Sequence, residues 1–138
     1  MRYLAIDLGD KRTGIAVGSD GPGIVSPLTV LEIPAGPRLL EAVVKVIDEQ
    51  DPGAVVIGLP LNMDGTEGPS ARAARQFGDA VARAAELPIH FQDERLTSHA
   101  AEENLKQSGR THRQKKEIRD ALAAAEILRD FLNARARR

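Results

Sequence analysis

The chain of 138 residues contains no cysteine, so it can form neither a disulfide framework nor a thiolate metal site. Aromatic residues make up only 3% of the sequence, which argues against a protein that stacks many bases of one nucleic-acid strand. No apolar run approaches the length of a bilayer-spanning helix. The start, MRYLAIDLGDKR, lacks the longer apolar run of a secretory signal. We therefore expect a soluble, cytoplasmic protein that does not act at a membrane.

Positive charge is clustered, although the net charge is only −1. The segment KQSGRTHRQKKEIR, residues 106–119, carries six Lys or Arg against one Glu, and the chain finishes with ARARR. Such clusters are the electrostatic footprint of contacts to phosphate groups. Because aromatic residues are few, a nucleic-acid partner would be held by its backbone rather than by its base faces.

Apolar periodicity predicts strands and helices in an order typical of a mixed α/β sheet. A hydrophobic content of 42% is sufficient for the core of one domain spanning residues 1–138. The predicted strands cover residues 2–8, 13–19, 25–33, 54–60 and 88–94, and Pro27 either places the third at an edge or delays its start. The predicted helices cover residues 37–50, 71–87, 97–107 and 113–134. In the second helix the inward positions are Ala74, Phe77, Val81 and Ala84.

Two acids stand where apolar patterning would not place them. Asp7 ends the first apolar strand, where partial desolvation is costly unless the carboxylate is paired or binds a cation. It could instead cap the hairpin or pair with Lys11. Asp120 shares a helical stripe with Ala124, Ile127 and Phe131, directly after the basic segment. A structural Arg or backbone donors could satisfy Asp120, but we favour a functional role.

Glu94 is a third candidate, at the end of the strand PIHFQDE. Ligand sites of open α/β sheets gather at such strand ends. Strand alternation leans weakly toward Asp93, which follows Ile89 and Phe91, and it directs Glu94 away from the core. Arg95 could simply neutralise both acids, so alternation leaves the choice open.

Three acids from separate elements beside a basic loop suit metal-assisted phosphoryl transfer. Mg²⁺ and Mn²⁺ prefer carboxylate oxygens, and two such ions activate a water and stabilise a leaving oxygen. Asp7 would bridge the ions, and Glu94 and Asp120 would complete the sites. The three histidines lack the paired spacing of a zinc site. His112 could assist proton transfer, but we favour a phosphate contact.

The segments IDLGDKRTGIAV, VVIGLPLNMDGTEGPSARAARQF, DERLTSHAAEENL and DALAAAEIL resemble the successive motifs of the YqgF (RuvX-like) family. The resemblance covers nearly the whole chain. It implies an α/β, ribonuclease H-like fold with a mixed five-stranded sheet flanked by helices. It also implies a likeness to Holliday-junction resolvases and a nuclease activity in pre-16S rRNA 5′-end processing. The family's catalytic acids fall on Asp7, Glu94 and Asp120, so the resemblance selects Glu94 over Asp93.

The expected partner is nucleic acid, either structured RNA or branched DNA. Candidate substrate contacts are Lys11, Arg12, Asn62, Thr66, Arg95, Arg110, Arg113, Lys115 and Lys116. One alternative is a Holliday junction resolvase in DNA recombination or repair, which would be expected to act as a homodimer. Another is a non-catalytic nucleic-acid-binding module in transcription. DLGDKRTG also resembles the phosphate hairpin of actin-like ATPases, but 138 residues leave no room for their second lobe.

Overall fold

Five apolar segments form one mixed sheet in the computed structural model, which describes residues 1–21, 23–94 and 112–136. The strand order is β3-β2-β1-β4-β5. β1 pairs antiparallel with β2, and β2 pairs antiparallel with β3, whereas β1, β4 and β5 run parallel. The strands are β1 (Arg2–Asp7), β2 (Thr13–Ser19), β3 (Val25–Leu31), β4 (Ala54–Leu59) and β5 (Ile89–Asp93). The predicted mixed five-stranded sheet is confirmed.

Burial follows strand position. β4 is buried along its whole length, as expected for a central strand covered on both faces. β3 is largely exposed and lies at the sheet edge. An edge strand tolerates Pro27, which has no backbone N–H to donate, because one side of the strand has no neighbouring strand. The prediction of an edge strand from Pro27 is therefore confirmed.

Within the described residues, three helices cover the two faces of the sheet. The helices α1 (Pro37–Gln50) and α2 (Pro69–Ala85) each begin at a Gly-Pro pair, whose proline needs no backbone partner at the first helical position. They cover the face that carries Leu4 and Ile6. The helix α3 (His112–Ala136) covers the opposite face, which carries Tyr3 and Ala5. Neighbouring residues of β1 thus point into different layers, as strand periodicity requires.

The buried face of α2 differs from the predicted one. Ala84 is exposed, so its predicted inward position is wrong, whereas Ala71 and Gly78 join the buried stripe of Ala74 and Val81. At 3.6 residues per turn, residue 84 falls nearly a quarter turn away from that stripe. The predicted helix at 97–107 lies outside the described residues. None of the helices within the described ranges is long and apolar enough to cross a membrane.

Glycines on two strands allow α3 to lie close to the sheet. Gly14 of β2 is buried, and a Cβ there would overlap the backbone carbonyl of Asp120. A Cβ at Gly58 of β4 would overlap the carboxylate of Glu94. The absence of these two Cβ atoms makes room for Asp120 and Glu94 on the α3 face of the sheet.

Replacing Gly14 with Ala should destabilise the fold, because the new Cβ must push α3 away from β2. Overpacking against backbone atoms should cost about 2–3 kcal/mol in the free energy of unfolding, measured by urea denaturation. Gly68→Ala is the matched control, because its Cβ would lie 3.5 Å from Asn62, an ordinary contact. The control should cost about 0.5 kcal/mol as a helix N-cap change. Equal losses for both variants would contradict the close approach of α3.

Candidate active site

Asp7 and Glu94 meet at one edge of the sheet because their strands are parallel. Asp7 is the last residue of β1, and Glu94 directly follows β5. The backbone N–H of Glu94 donates to the carbonyl of Leu59 at 3.3 Å, which ties the end of β5 to the end of β4. Carboxyl ends of parallel strands are the usual place for ligand sites in such sheets.

Both acids also lie on the same face. Asp7 follows Tyr3 and Ala5 in alternation and therefore faces α3. On β5, the ring centroid of His90 lies 5.1 Å from that of Phe131 in α3, so Glu94, four residues later, belongs to this face as well. Strand alternation correctly placed Glu94 on the opposite face from Ile89 and Phe91. That face is not open to solvent, however, because α3 packs against it.

The carboxyl groups of Asp7 and Glu94 are joined by a hydrogen bond. Burial raises the pKa of Glu94 first, and the charge of Asp7, this hydrogen bond and the charge of Asp93 raise it further. Burial also raises the pKa of Asp7, while the bond from Glu94 lowers it and the charge of Asp120 raises it. These directions place the shared proton on Glu94, which donates to Asp7. Two buried neighbouring carboxylates need a proton or a cation between them.

Asp120 reaches the same region from α3. Its predicted stripe is confirmed, since Ala124 and Ile127 are fully buried and Phe131 nearly so. The Nε of Arg12 donates to Oδ2 of Asp120 at 3.0 Å, with the two side chains 36% and 26% exposed. Burial raises the pKa of Asp120, and the positive charges of Arg12 and Arg119 oppose that rise. Asp120 is thus paired with an arginine, as one of the predicted alternatives stated.

The turn between β1 and β2 borders a cleft of about 280 Å³ beside Asp120. Lys11 and Arg12, both predicted substrate contacts, line this cleft together with Gly9, Asp10 and Asp120. Lys11 is exposed, whereas Arg12 is half-buried by its pairing with Asp120. An open cleft with two cations can accept a phosphate group.

Asn62 and Thr66 hold the shape of the loop between β4 and α2. The amide of Asn62 donates to the hydroxyl of Thr66 at 3.0 Å, and that hydroxyl donates to Asp64 at 2.6 Å. Arg75 of α2 donates twice to Glu67, at 2.7 and 2.8 Å, and stacks over the ring of Phe91. Arg75 therefore links the loop to α2 and β5. The substrate role of Asn62 and Thr66 remains a prediction.

The remaining predicted substrate contacts belong to the basic segment and its surroundings. Arg95 and Arg110 lie outside the described residues. Arg113, Lys115 and Lys116 lie on the first turns of α3, and their side chains are outside the described part. The same holds for the side chain of His112, the first residue of that helix.

Sequence reasoning missed three residues that shape the site. Gly14 pairs directly with Asp7 across β1 and β2, and Gly58 of β4 lies between the ends of β1 and β5. The hydroxyl of Thr13, fully buried, accepts a hydrogen bond from the backbone N–H of Gly9 at 3.4 Å and closes the turn before it. A glycine within the apolar run AVVIGLP was the available signal, because glycine in a strand often marks a close approach.

The donor set at this edge fits a hard divalent cation. In the described ranges no group of three or more His, Asp or Glu side chains lies in a ready arrangement for a metal ion. Asp120 is instead held by Arg12, and Glu94 is hydrogen-bonded to Asp7. Carboxylate oxygens are nevertheless the ligands that Mg²⁺ and Mn²⁺ prefer.

A family model described as "RuvX: Holliday junction resolvase" matches residues 1–134. The chain belongs to the RuvX family. It is 42% identical over 135 residues to an Anaeromyxobacter sp. (strain Fw109-5) protein named "Putative pre-16S rRNA nuclease", and the match covers 98% of each chain. A protein of the same name from Chloroflexus aggregans (strain MD-66 / DSM 9485) is 41% identical over 134 residues, covering 96% of this chain and 93% of the relative.

Solved structures confirm the ribonuclease H-like fold predicted for this RuvX-family chain. The Thermus thermophilus RuvC structure aligns with a TM-score of 0.61 at 19% identity, covering 99% of this chain and 96% of RuvC. A fowlpox virus resolvase, solved with its substrate Holliday junction DNA, aligns with a TM-score of 0.62 at 9% identity. That alignment covers 97% of this chain and 98% of the resolvase. At these low sequence identities, the structural similarity shows a shared fold and nothing about activity.

The paired acids should make the metal-free RuvX-family chain less stable as pH rises. The folded state raises the pKa of Glu94 from 4.5 to about 9, so between these values it binds more protons than the unfolded state. Stability should then fall across that window. Glu94→Gln keeps a neutral donor to Asp7 and should lose less stability between about pH 5 and about pH 8 in thermal unfolding with EDTA.

At about pH 8 this variant should be at least about 1 kcal/mol more stable than the wild type, or roughly 3–5 °C in Tm. The exposed Glu41→Gln on α1 serves as the control and should follow the wild-type pH dependence. Identical pH slopes for the wild type and Glu94→Gln would show that the pair is not buried as described.

Proposed function

We propose that this chain is a divalent-metal-dependent endonuclease that cleaves phosphodiester bonds in the precursor of 16S ribosomal RNA. The observation that carries the proposal is the convergence of Asp7, Glu94 and Asp120 on one sheet edge and one face. Folding gains nothing from burying two neighbouring carboxyls, so their retention here is best explained by cation binding. The names of the curated relatives support the RNA substrate, and a bacterial rRNA precursor implies action in the cytoplasm.

Asp7, Glu94 and Asp120 would hold the ion, with Mg²⁺ or Mn²⁺ as the candidates. Asp7 is hydrogen-bonded to Glu94 and interacts electrostatically with Asp120, so it is the natural shared ligand. The bound ion would activate the attacking water and stabilise the leaving oxygen. Two of the three carboxylates sit on strand ends and the third on a long helix, which fixes their positions without the substrate.

Side chains around the acids would position the substrate. Lys11 and Arg12 would contact phosphate in the cleft beside Asp120. The loop of residues 60–68 is held by its own hydrogen bonds and by Arg75, so it offers a preformed surface next to Glu94. Few aromatic residues and a basic segment that continues into the first turns of α3 favour contacts to the backbone of structured RNA.

A Holliday junction resolvase is the second candidate, favoured by the description of the matching family and by the RuvC-like fold. Four-way junctions carry two symmetric cleavage sites, so this activity would require a homodimer. A non-catalytic nucleic-acid module is less consistent with the site. Binding alone gives no reason to bury Asp7 and Glu94 side by side.

Asp7→Asn should reduce RNA cleavage in Mn²⁺ or Mg²⁺ roughly 100-fold or more, because the shared ligand loses its charge. RNA binding without divalent metal, measured by fluorescence anisotropy in EDTA, should stay nearly unchanged. Asp48→Asn, on the exposed side of α1, is the matched control and should cleave at the wild-type rate. Wild-type cleavage by Asp7→Asn would rule out the metal mechanism.

A direct comparison of substrates separates the two candidate functions. A 16S rRNA precursor, a four-way DNA junction and a simple duplex should be incubated with the protein in one Mn²⁺ buffer, with EDTA as the blank. We expect the precursor to be cut fastest, at a defined site, with rates read from denaturing gels. Faster cleavage of the junction would transfer the assignment to recombination, and equal cleavage of all three would remove any assigned specificity.

A further inference from the structure

Arg12 is paired with Asp120, the third carboxylate of the site. Its Nε donates to Oδ2 of Asp120 at 3.0 Å, while its side chain keeps 36% of its surface exposed. We propose that Arg12 is a substrate-positioning residue that exchanges partners. It neutralises Asp120 in the metal-free protein, and it binds a substrate phosphate once a divalent cation takes its place. The inference rests on the proposed metal site.

The ion pair and the metal ion compete for the same oxygen atoms. A carboxylate that accepts a charge-assisted hydrogen bond from Arg12 has less capacity to bind a hard cation. The Nε of Arg12 occupies Oδ2 of Asp120, so a cation that takes this oxygen must displace Arg12.

The released guanidinium has a place to go. Lys11, Arg12 and Asp120 line the same cleft of about 280 Å³, which is large enough for a phosphate group. The turn behind Arg12 is fixed, because the backbone N–H of Gly9 is bonded to the buried Thr13 and a Cβ at Gly9 would overlap the Arg12 carbonyl. The side chain can therefore change its partner while its backbone stays in position.

The exchange couples the two ligands. A metal ion that displaces Arg12 makes it available to phosphate, and a phosphate that captures Arg12 frees Asp120 for metal. By linkage, each ligand must strengthen binding of the other by the same factor. The complete site would then be favoured when RNA and metal are both present.

Mn²⁺ binding without substrate tests the first half of the exchange. Isothermal titration of the folded wild type, Arg12→Ala and Lys11→Ala should show Arg12→Ala binding Mn²⁺ about three- to tenfold more tightly than wild type. Lys11→Ala removes the same charge from the same cleft and should change the affinity less than about twofold. Arg12→Gln, which retains a neutral donor, should be intermediate and covers the case in which the Ala variant is poorly folded.

Equal shifts for Lys11→Ala and Arg12→Ala would indicate a general charge effect and overturn the proposal, as would unchanged or weaker Mn²⁺ binding by both Arg12 variants. Absence of Mn²⁺ binding by the wild type would instead overturn the metal site of the proposed function. The two failures are therefore distinguishable.

RNA binding tests the second half. Anisotropy of a labelled phosphorothioate RNA hairpin, verified intact on a denaturing gel, is measured with EDTA and with Mn²⁺. Mn²⁺ should strengthen binding by the wild type and by Lys11→Ala, and this gain should shrink at least about threefold in Arg12→Ala. An undiminished gain in Arg12→Ala would show that the released side chain does not reach phosphate.

Discussion

Asp7 lies between two positions that have no side chain. On one side Gly14 of β2 pairs with it across the antiparallel ladder, and the space of the missing Cβ is taken by the backbone of Asp120. On the other side Gly58 of β4 leaves room for the carboxylate of Glu94. The three acids can converge because β2 and β4, the strands on either side of β1, each carry a glycine here. The space of the missing Cβ atoms admits the backbone of α3 on one side and the carboxylate of Glu94 on the other.

This convergence creates a charge problem that the fold solves locally. Glu94 and Asp7 share a proton, and Asp120 is paired with Arg12 and lies near Arg119. A metal ion could replace either the proton or the guanidinium, since removal of either one makes carboxylate oxygens available for coordination. Each of the three acids thus has a partner within the metal-free protein.

Strands and a helix hold the three carboxylates. Asp7 and Glu94 sit at strand ends that are hydrogen-bonded to the fully buried β4, and Asp120 sits within a helix packed by Ala124 and Ile127. The adjoining loop is fastened by Arg75 through Glu67 and Phe91. The elements that carry the carboxylates therefore hold them in position.

The sequence by itself determined the strands, their edge and centre, and the stripe that carries Asp120, because apolar periodicity and Pro27 report burial directly. It placed acids at the ends of β1 and β5 but could not choose Glu94 by alternation, since both faces of β5 are covered. The partner of Asp120 and the roles of Gly14 and Gly58 were decided only by tertiary structure. Arg12 and Asp120 are 108 residues apart, and local patterns carry no record of which distant groups share a space.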